Sequence, residues 1–120
     1  KRQMRYFTYE EFDSSDEPGS GHKMNPAILN MLDAARKLYG KPMKINSGYR
    51  TKEHNTKIGG VKDSSHMKGL AADVRVGSSA ERFALYDVFR KVGFKRIGVA
   101  KSFIHVDIDE DKTQDLLWVY

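Results

Sequence analysis

The stretch Ser64-Ser65-His66-Met67-Lys68-Gly69-Leu70-Ala71-Ala72-Asp73 is answered late in the chain by Phe103-Ile104-His105-Val106-Asp107. Both segments set imidazole or carboxylate groups in apolar, strand-like surroundings. The spacing from His66 to Asp73 fits a loop that runs into a strand, so both side chains turn toward one point. His105 reaches the same point from a neighbouring strand. Zinc accepts imidazole nitrogen and carboxylate oxygen, and a catalytic zinc keeps three protein ligands with a fourth position left to water. His66, Asp73 and His105 are therefore the expected ligands of one Zn2+ ion.

Along 103–109 side chains alternate between two faces. Phe103, His105, Asp107 and Asp109 share one; Ile104, Val106 and Ile108 share the other. The aliphatic face belongs against helices in a core, which points His105 and Asp107 toward the opposite side, where a cleft can lie. Each histidine taken singly suits an ordinary structural role. Taken with Asp73, a Gly69 that lets the backbone approach a ligand and the small Ala71 and Ala72, a metal site is the better account. His22 falls in a polar loop and is expected to be solvated; His54 is expected at most to support the site.

Further out, 5–12 is aromatic-rich and reads as an extended segment against the body, followed by a polar loop over 13–22. Asn25-Pro26 opens a helix, with Asn at the N-cap and Pro in the first turn. Ile28, Leu29, Leu32, Ala35 and Leu38 form its core stripe, and Gly40 sits at its C-cap. The pattern then predicts a short strand over 42–46, a short helix over 52–58 capped by Thr51, a loop over 61–68 and a strand over 70–76. Ser78 or Ser79 caps a second long helix with Phe83, Leu85, Val88, Phe89 and Val92 on its apolar side, ended by Gly93. Strands over 96–100 and 103–108 form a hairpin around Lys101-Ser102, and 116–120 is a last strand. The expected fold is one α+β domain, 1–120: a small, mostly antiparallel sheet with helices packed on one face.

Composition narrows the chemistry. The 120 residues include no cysteine, which removes disulfides, thiolate metal sites and thiol nucleophiles together. The net charge of +5 suits an anionic partner, but the basic residues are scattered among acidic ones rather than forming a stripe with interleaved aromatics, so nucleic acid is not an expected partner. No apolar run approaches the roughly 20 residues that span a bilayer. The chain begins at Lys1, which leaves room for an upstream segment and keeps the compartment open. A monomer is the default state.

Ser64-x-His66-x-x-Gly69-x-Ala71-x-Asp73 resembles the zinc-ligand signature of the D-alanyl-D-alanine carboxypeptidase and dipeptidase family, the VanX/VanY-like group. That family includes phage endolysins that cut L-alanyl-D-glutamate bonds and shares its fold with hedgehog signalling domains. Ser47-Gly48-Tyr49-Arg50 resembles its arginine motif, and Phe103-Ile104-His105-Val106-Asp107 its third-ligand strand. The resemblance spans 46–109 and implies a hedgehog/DD-peptidase-like fold and a zinc peptidase acting on peptidoglycan stem peptides at the bacterial cell wall. It implies Zn2+ on His66, Asp73 and His105, Arg50 facing substrate carboxylate or oxyanion, and substrate contacts from Ser64 and Tyr49.

One position departs from the pattern. Many members place Glu three residues before the third ligand, as proton acceptor; here that residue is Ser102. Asp107, on the same strand face as His105, is the expected substitute as catalytic base, or else the group that orients His105 through its second ring nitrogen. Asp109 and His54 are weaker candidates. The departure also leaves a second class of function, a zinc-stabilised wall-binding module without turnover.

Overall fold

A computed structural model describes residues 4–120; residues 1–3 of the expected domain lie outside the described residues. The elements run α1 (Pro26–Tyr39), β1 (Ile45–Ser47), α2 (Lys52–Lys57), β2 (Ala71–Arg75), α3 (Ser79–Lys91), β3 (Arg96–Val99), β4 (Phe103–Asp107) and β5 (Leu116–Val119). Short 3-10 turns cover Tyr9–Phe12, Ser20–Lys23 and Ser65–Lys68. The strands form one sheet in the order β1-β2-β4-β3-β5, antiparallel except for the parallel β3–β5 pair. This is the expected α+β class.

Local chemistry sets most element ends. The Asn25 side chain accepts from Ala27 N at 2.7 Å, Pro26 takes the first helical position, and Gly40 turns left-handed at φ 76°. Thr51 caps α2 through His54 N, and Ser78 caps α3 through Glu81 N. α1 and α3 lay Ile28, Leu29, Leu32, Leu85 and Phe89 against Val74, Ile97, Ile104 and Val106 of the sheet, all buried. The aliphatic side of β4 is thus the core side, and the opposite side is left for His105.

Four expectations are corrected. Leu38 is 58% and Phe83 75% exposed. At 100° per residue, Leu38 lies about 100° around α1 from the centre of its buried stripe, and Phe83 lies nearly opposite Leu85, Val88 and Phe89. The 5–12 segment is not extended throughout: Thr8 and Glu11 form a reciprocal capping box around a 3-10 turn that buries Phe12. Gly69 serves a close backbone approach, but not to a ligand. It has φ 71°, its carbonyl accepts from Asn25 N at 2.9 Å, and a Cβ there would overlap Lys23 O. That contact ties the turn carrying His66 to the start of α1.

A buried ionic tie holds the same turn from below. Asp109 is 1% exposed, accepts from Ser65 Oγ at 2.7 Å, and pairs with Lys68 Nζ at 3.0 Å. Burial alone would raise its carboxyl, but the bonds from Ser65 and Lys68 outweigh it and hold the group below 3.8. A carboxyl depressed on folding adds stability that is present above its unfolded value and is lost as pH falls through the folded one. Asp109→Asn is expected to cost about 1–3 kcal/mol at pH 7, and the difference from wild type should shrink below about pH 3.5. Urea midpoints measured across pH 7 to 2.5 check this; a pH-independent difference contradicts it.

Candidate metal centre

The two strands that carry the outer ligands are direct neighbours, and Asp73 stands opposite His105 in the β2–β4 register. His66 arrives from the 3-10 turn just before β2. Ser64 caps that turn, its Oγ accepting from His66 N at 3.2 Å, and Gly69 ends it. The turn is also sewn to the segment before α2, where Arg50 N donates to His66 O at 3.1 Å. As a result His66, Asp73 and His105 each present one donor atom, and these atoms lie within 4.8 Å of one another. All three residues are buried.

The second nitrogen of each imidazole is engaged away from the group. His66 Nδ1 donates to Gly48 O at 2.8 Å, which turns Nε2 toward Asp73 Oδ1, 3.3 Å away. His105 Nε2 donates to Asp107 Oδ2 at 2.7 Å, which leaves Nδ1 facing Asp73 Oδ1 at 2.9 Å. Such outer partners fix the tautomer and raise the basicity of ligating imidazoles. Two nitrogens and one carboxylate oxygen without sulfur are a donor set for zinc, and the residues fit one such ion.

The electrostatics agree. Burial alone would raise the Asp73 carboxyl, but hydrogen bonds from His105 and His66 outweigh it and hold it well below the usual carboxylate range. Burial alone would lower the His105 imidazole, yet bonds to Asp107 and Asp73 hold it above 6.5. Two anions thus converge on His105, an arrangement that favours a cation between Nδ1 and Asp73.

The group opens into a cleft of about 400 Å³ that Arg50 and Ser64 also line. Arg50 is held as a plate: Nε donates to Ser47 Oγ at 3.1 Å, one terminal nitrogen to Asn55 Oδ1 at 3.1 Å and the other to Asp73 Oδ2 at 3.4 Å. Of five guanidinium hydrogens, two remain for a ligand. Tyr49 does not line the cleft; its half-buried ring packs on the core beneath Lys23 Nζ, 5.4 Å from the centroid. Strand-like alternation sends it to the side opposite Arg50. Ser102 is exposed in the β3–β4 turn and is likewise outside the cleft. His54 meets Ser15 on the outer side of α2, and His22 is exposed but stacked on Tyr9, with ring centroids 4.0 Å apart.

The sequence leaves Asp107 two roles, proton acceptor or orienting partner of His105. It is 1% exposed, and both oxygens are engaged: Oδ2 with His105, and Oδ1 with Arg96 Nε at 2.7 Å and Asp109 N at 3.1 Å. That is the orienting arrangement. Asp109 points away to Ser65 and Lys68.

Sequence reasoning missed Arg96, Asn55 and Trp118. Asn55 is 3% exposed; besides Arg50 it donates to Val61 O at 2.8 Å, so it braces the loop at the cleft edge. Trp118 lies beside His105 with ring centroids 5.5 Å apart, over Gly98, where a Cβ would come within 2.5 Å of the indole. Gly98→Val should displace this ring, at about 1–3 kcal/mol for overpacking. The chain has a single tryptophan, so its fluorescence maximum should move to longer wavelength together with a lower urea midpoint. An unchanged spectrum contradicts the packing.

Residues 5–107 match the family model described as peptidase M15. The chain is also similar to the zinc D-Ala-D-Ala carboxypeptidase of Streptomyces albus G, 36% identical in a 100-residue alignment that covers 76% of this chain and 39% of that protein. It therefore spans well under half the length of that relative. With the match covering both strands and the turn that bear the candidate ligands, the chain belongs to the peptidase M15 family.

Proposed function

We propose that the protein is a zinc metallopeptidase that hydrolyses peptidoglycan stem peptides at the bacterial cell wall, as a D-Ala-D-Ala carboxypeptidase or a related endolysin-type peptidase. The observation that carries this reading is the convergence of His66, Asp73 and His105 at one end of a cleft whose wall includes a rigidly held Arg50. The similarity to a protein named zinc D-Ala-D-Ala carboxypeptidase supports the substrate class. Family membership favours the hydrolase over a wall-binding module without turnover.

Bound by these three residues, zinc would supply Lewis acidity and a water made nucleophilic near neutral pH. The chain's own groups do the rest. Gly48 O and Asp107 hold the two imidazoles in the tautomers that present Nε2 of His66 and Nδ1 of His105. Asp73 contributes Oδ1 to the group while Oδ2 receives Arg50. The two remaining Arg50 hydrogens suit a carbonyl or carboxylate oxygen of the peptide, with a fork geometry that lysine lacks. Ser64, buried at the cleft floor, positions His66 by capping its turn. The partner is a stem peptide rather than nucleic acid, and the working form is a monomer.

The test is to incubate zinc-loaded protein with purified wall fragments and assay both released D-alanine and cut stem peptides. Either product, abolished by a chelator and restored by zinc, is the expected result. No product for either bond type, with zinc bound, overturns the hydrolase reading.

A further inference from the structure

One wall of the cleft is an aromatic ledge that the ligand signature does not include. Phe103 from β4, Trp118 from β5 and Tyr120 just beyond it all face the cavity that holds the metal group. The Tyr120 ring lies 5.0 Å from Phe103 and 6.3 Å from Trp118, centroid to centroid. Its backbone is fixed by the parallel pairing, with Tyr120 N donating to Val99 O at 3.1 Å. Strand alternation then sends Trp118 and Tyr120 to the same side as His105.

Tyr120 differs from its neighbours in the ledge. Phe103 and Trp118 are half-buried, whereas Tyr120 is 66% exposed, too open for a purely packing role. Partial burial in the cleft and the nearby carboxylates of Asp73 and Asp107 raise the phenol above 10.0, so it stays protonated at neutral pH. Among the described residues no group takes up the hydrogen of the Tyr120 hydroxyl. The phenol hydrogen is thus available to a ligand. Arg50 keeps two hydrogens for a ligand, whereas Lys112 Nζ is engaged with Asp63 O at 2.7 Å and Ser65 Oγ at 3.0 Å.

We propose that Tyr120 is a catalytic residue of the peptidase reaction, its phenol O–H donating to the carbonyl oxygen of the peptide bond under attack. The proposal rests on the peptidase reading above. Negative charge grows on that oxygen as the carbonyl carbon becomes tetrahedral, so a donor aimed at it binds the transition state more strongly than the substrate. Arg50 and Tyr120 would then hold the peptide from the two sides of the metal group, one through a guanidinium and the other through a neutral hydroxyl.

Tyr120→Phe in the full zinc-loaded chain removes one oxygen and leaves the ledge in place. The expected result is a fall in kcat of about tenfold to a hundredfold with KM changed by less than about twofold, smaller than the loss of a buried oxyanion donor because the ring is exposed. Zinc content and urea midpoint should match wild type. A phosphinate dipeptide, which carries the tetrahedral oxyanion, should bind about tenfold or more weakly to the variant, while an unmodified product peptide binds equally to both proteins. Equal kcat and equal phosphinate affinity in the two proteins overturn the proposal, as does an equal loss of affinity for both ligands. A wild-type protein that cuts no wall peptide would sink the peptidase reading instead, and the phosphinate comparison would still decide the role of Tyr120.

Discussion

Asp73→Ala is expected to abolish zinc retention and, with it, hydrolysis of wall peptides. Asp73 is the carboxylate of the candidate ligand group, and its Oδ1 faces both His66 Nε2 and His105 Nδ1. Two imidazoles alone leave too few protein ligands for a catalytic zinc site. Losing Lewis-acid stabilisation of several kcal/mol corresponds to a rate loss of roughly a thousandfold or more. The fold should survive. Arg50 loses one partner but keeps Ser47 and Asn55, and the β2–β4 ladder around Asp73 is made of backbone bonds. Zinc per chain after dialysis, circular dichroism and the wall-fragment assay together check this. A variant that keeps one zinc per chain, or turns over like wild type, contradicts the assignment. Stripping zinc from the wild type should reproduce the variant's inactivity, and only the wild type should recover on adding zinc back.

Asp107→Ala has the second largest expected effect, on stability as well as on the metal. The substitution leaves Arg96, 8% exposed, with the Thr113 carbonyl and the face of Trp118 but no anion. Breaking a buried pair by removing one partner costs about 3–5 kcal/mol, because the other charge stays buried and uncompensated. His105 also loses the acceptor that sets its tautomer, and removing such an outer partner typically lowers metal affinity about 10- to 100-fold. The expected variant is less stable and binds zinc weakly. A proton acceptor would behave differently: Asp107→Ala would then keep stability and zinc and lose only turnover. Asp107→Asn, which keeps the shape and one acceptor oxygen, should fall between wild type and alanine in both melting temperature and zinc affinity. Retained stability and full zinc affinity in the alanine variant would contradict the orienting role.

The candidate ligand group was legible because zinc chemistry restricts both residue type and spacing. His66 lies within a turn that Ser64 caps and Gly69 ends, and Asp73 follows in the next strand. His105 was legible from alternation against Ile104 and Val106. Part of what was missed was also within reach. A hairpin turning at Lys101-Ser102 places Arg96 opposite Asp107 and Gly98 opposite His105, as the strands in fact pair. That register alone would have matched the Asp107 carboxylate with a guanidinium and argued for an orienting role.

Other features depend on contacts that no local pattern encodes. The side of β3 on which β5 lies, and its parallel direction, put Trp118 and Tyr120 beside the cleft. They follow from the path of the 108–115 segment around the end of the sheet, including a left-handed Asp115 at φ 58°. Asn55 carries no signal in its own helix; it is buried because Arg50 and Val61 O close around it. Leu38 and Phe83 show the reverse error, in which apolar type was weighed above angular position on the helix.

X-ray absorption at the zinc edge of the loaded protein tests the central assignment most directly. One zinc per chain with a nitrogen and oxygen shell at about 2.0–2.1 Å and the scattering signature of two imidazoles is the predicted result. The imidazole count should fall to one in His66→Ala if the ion is retained at all. Fewer than two imidazoles in the wild type, or a spectrum that His66→Ala leaves unchanged, would contradict the site built from His66, Asp73 and His105.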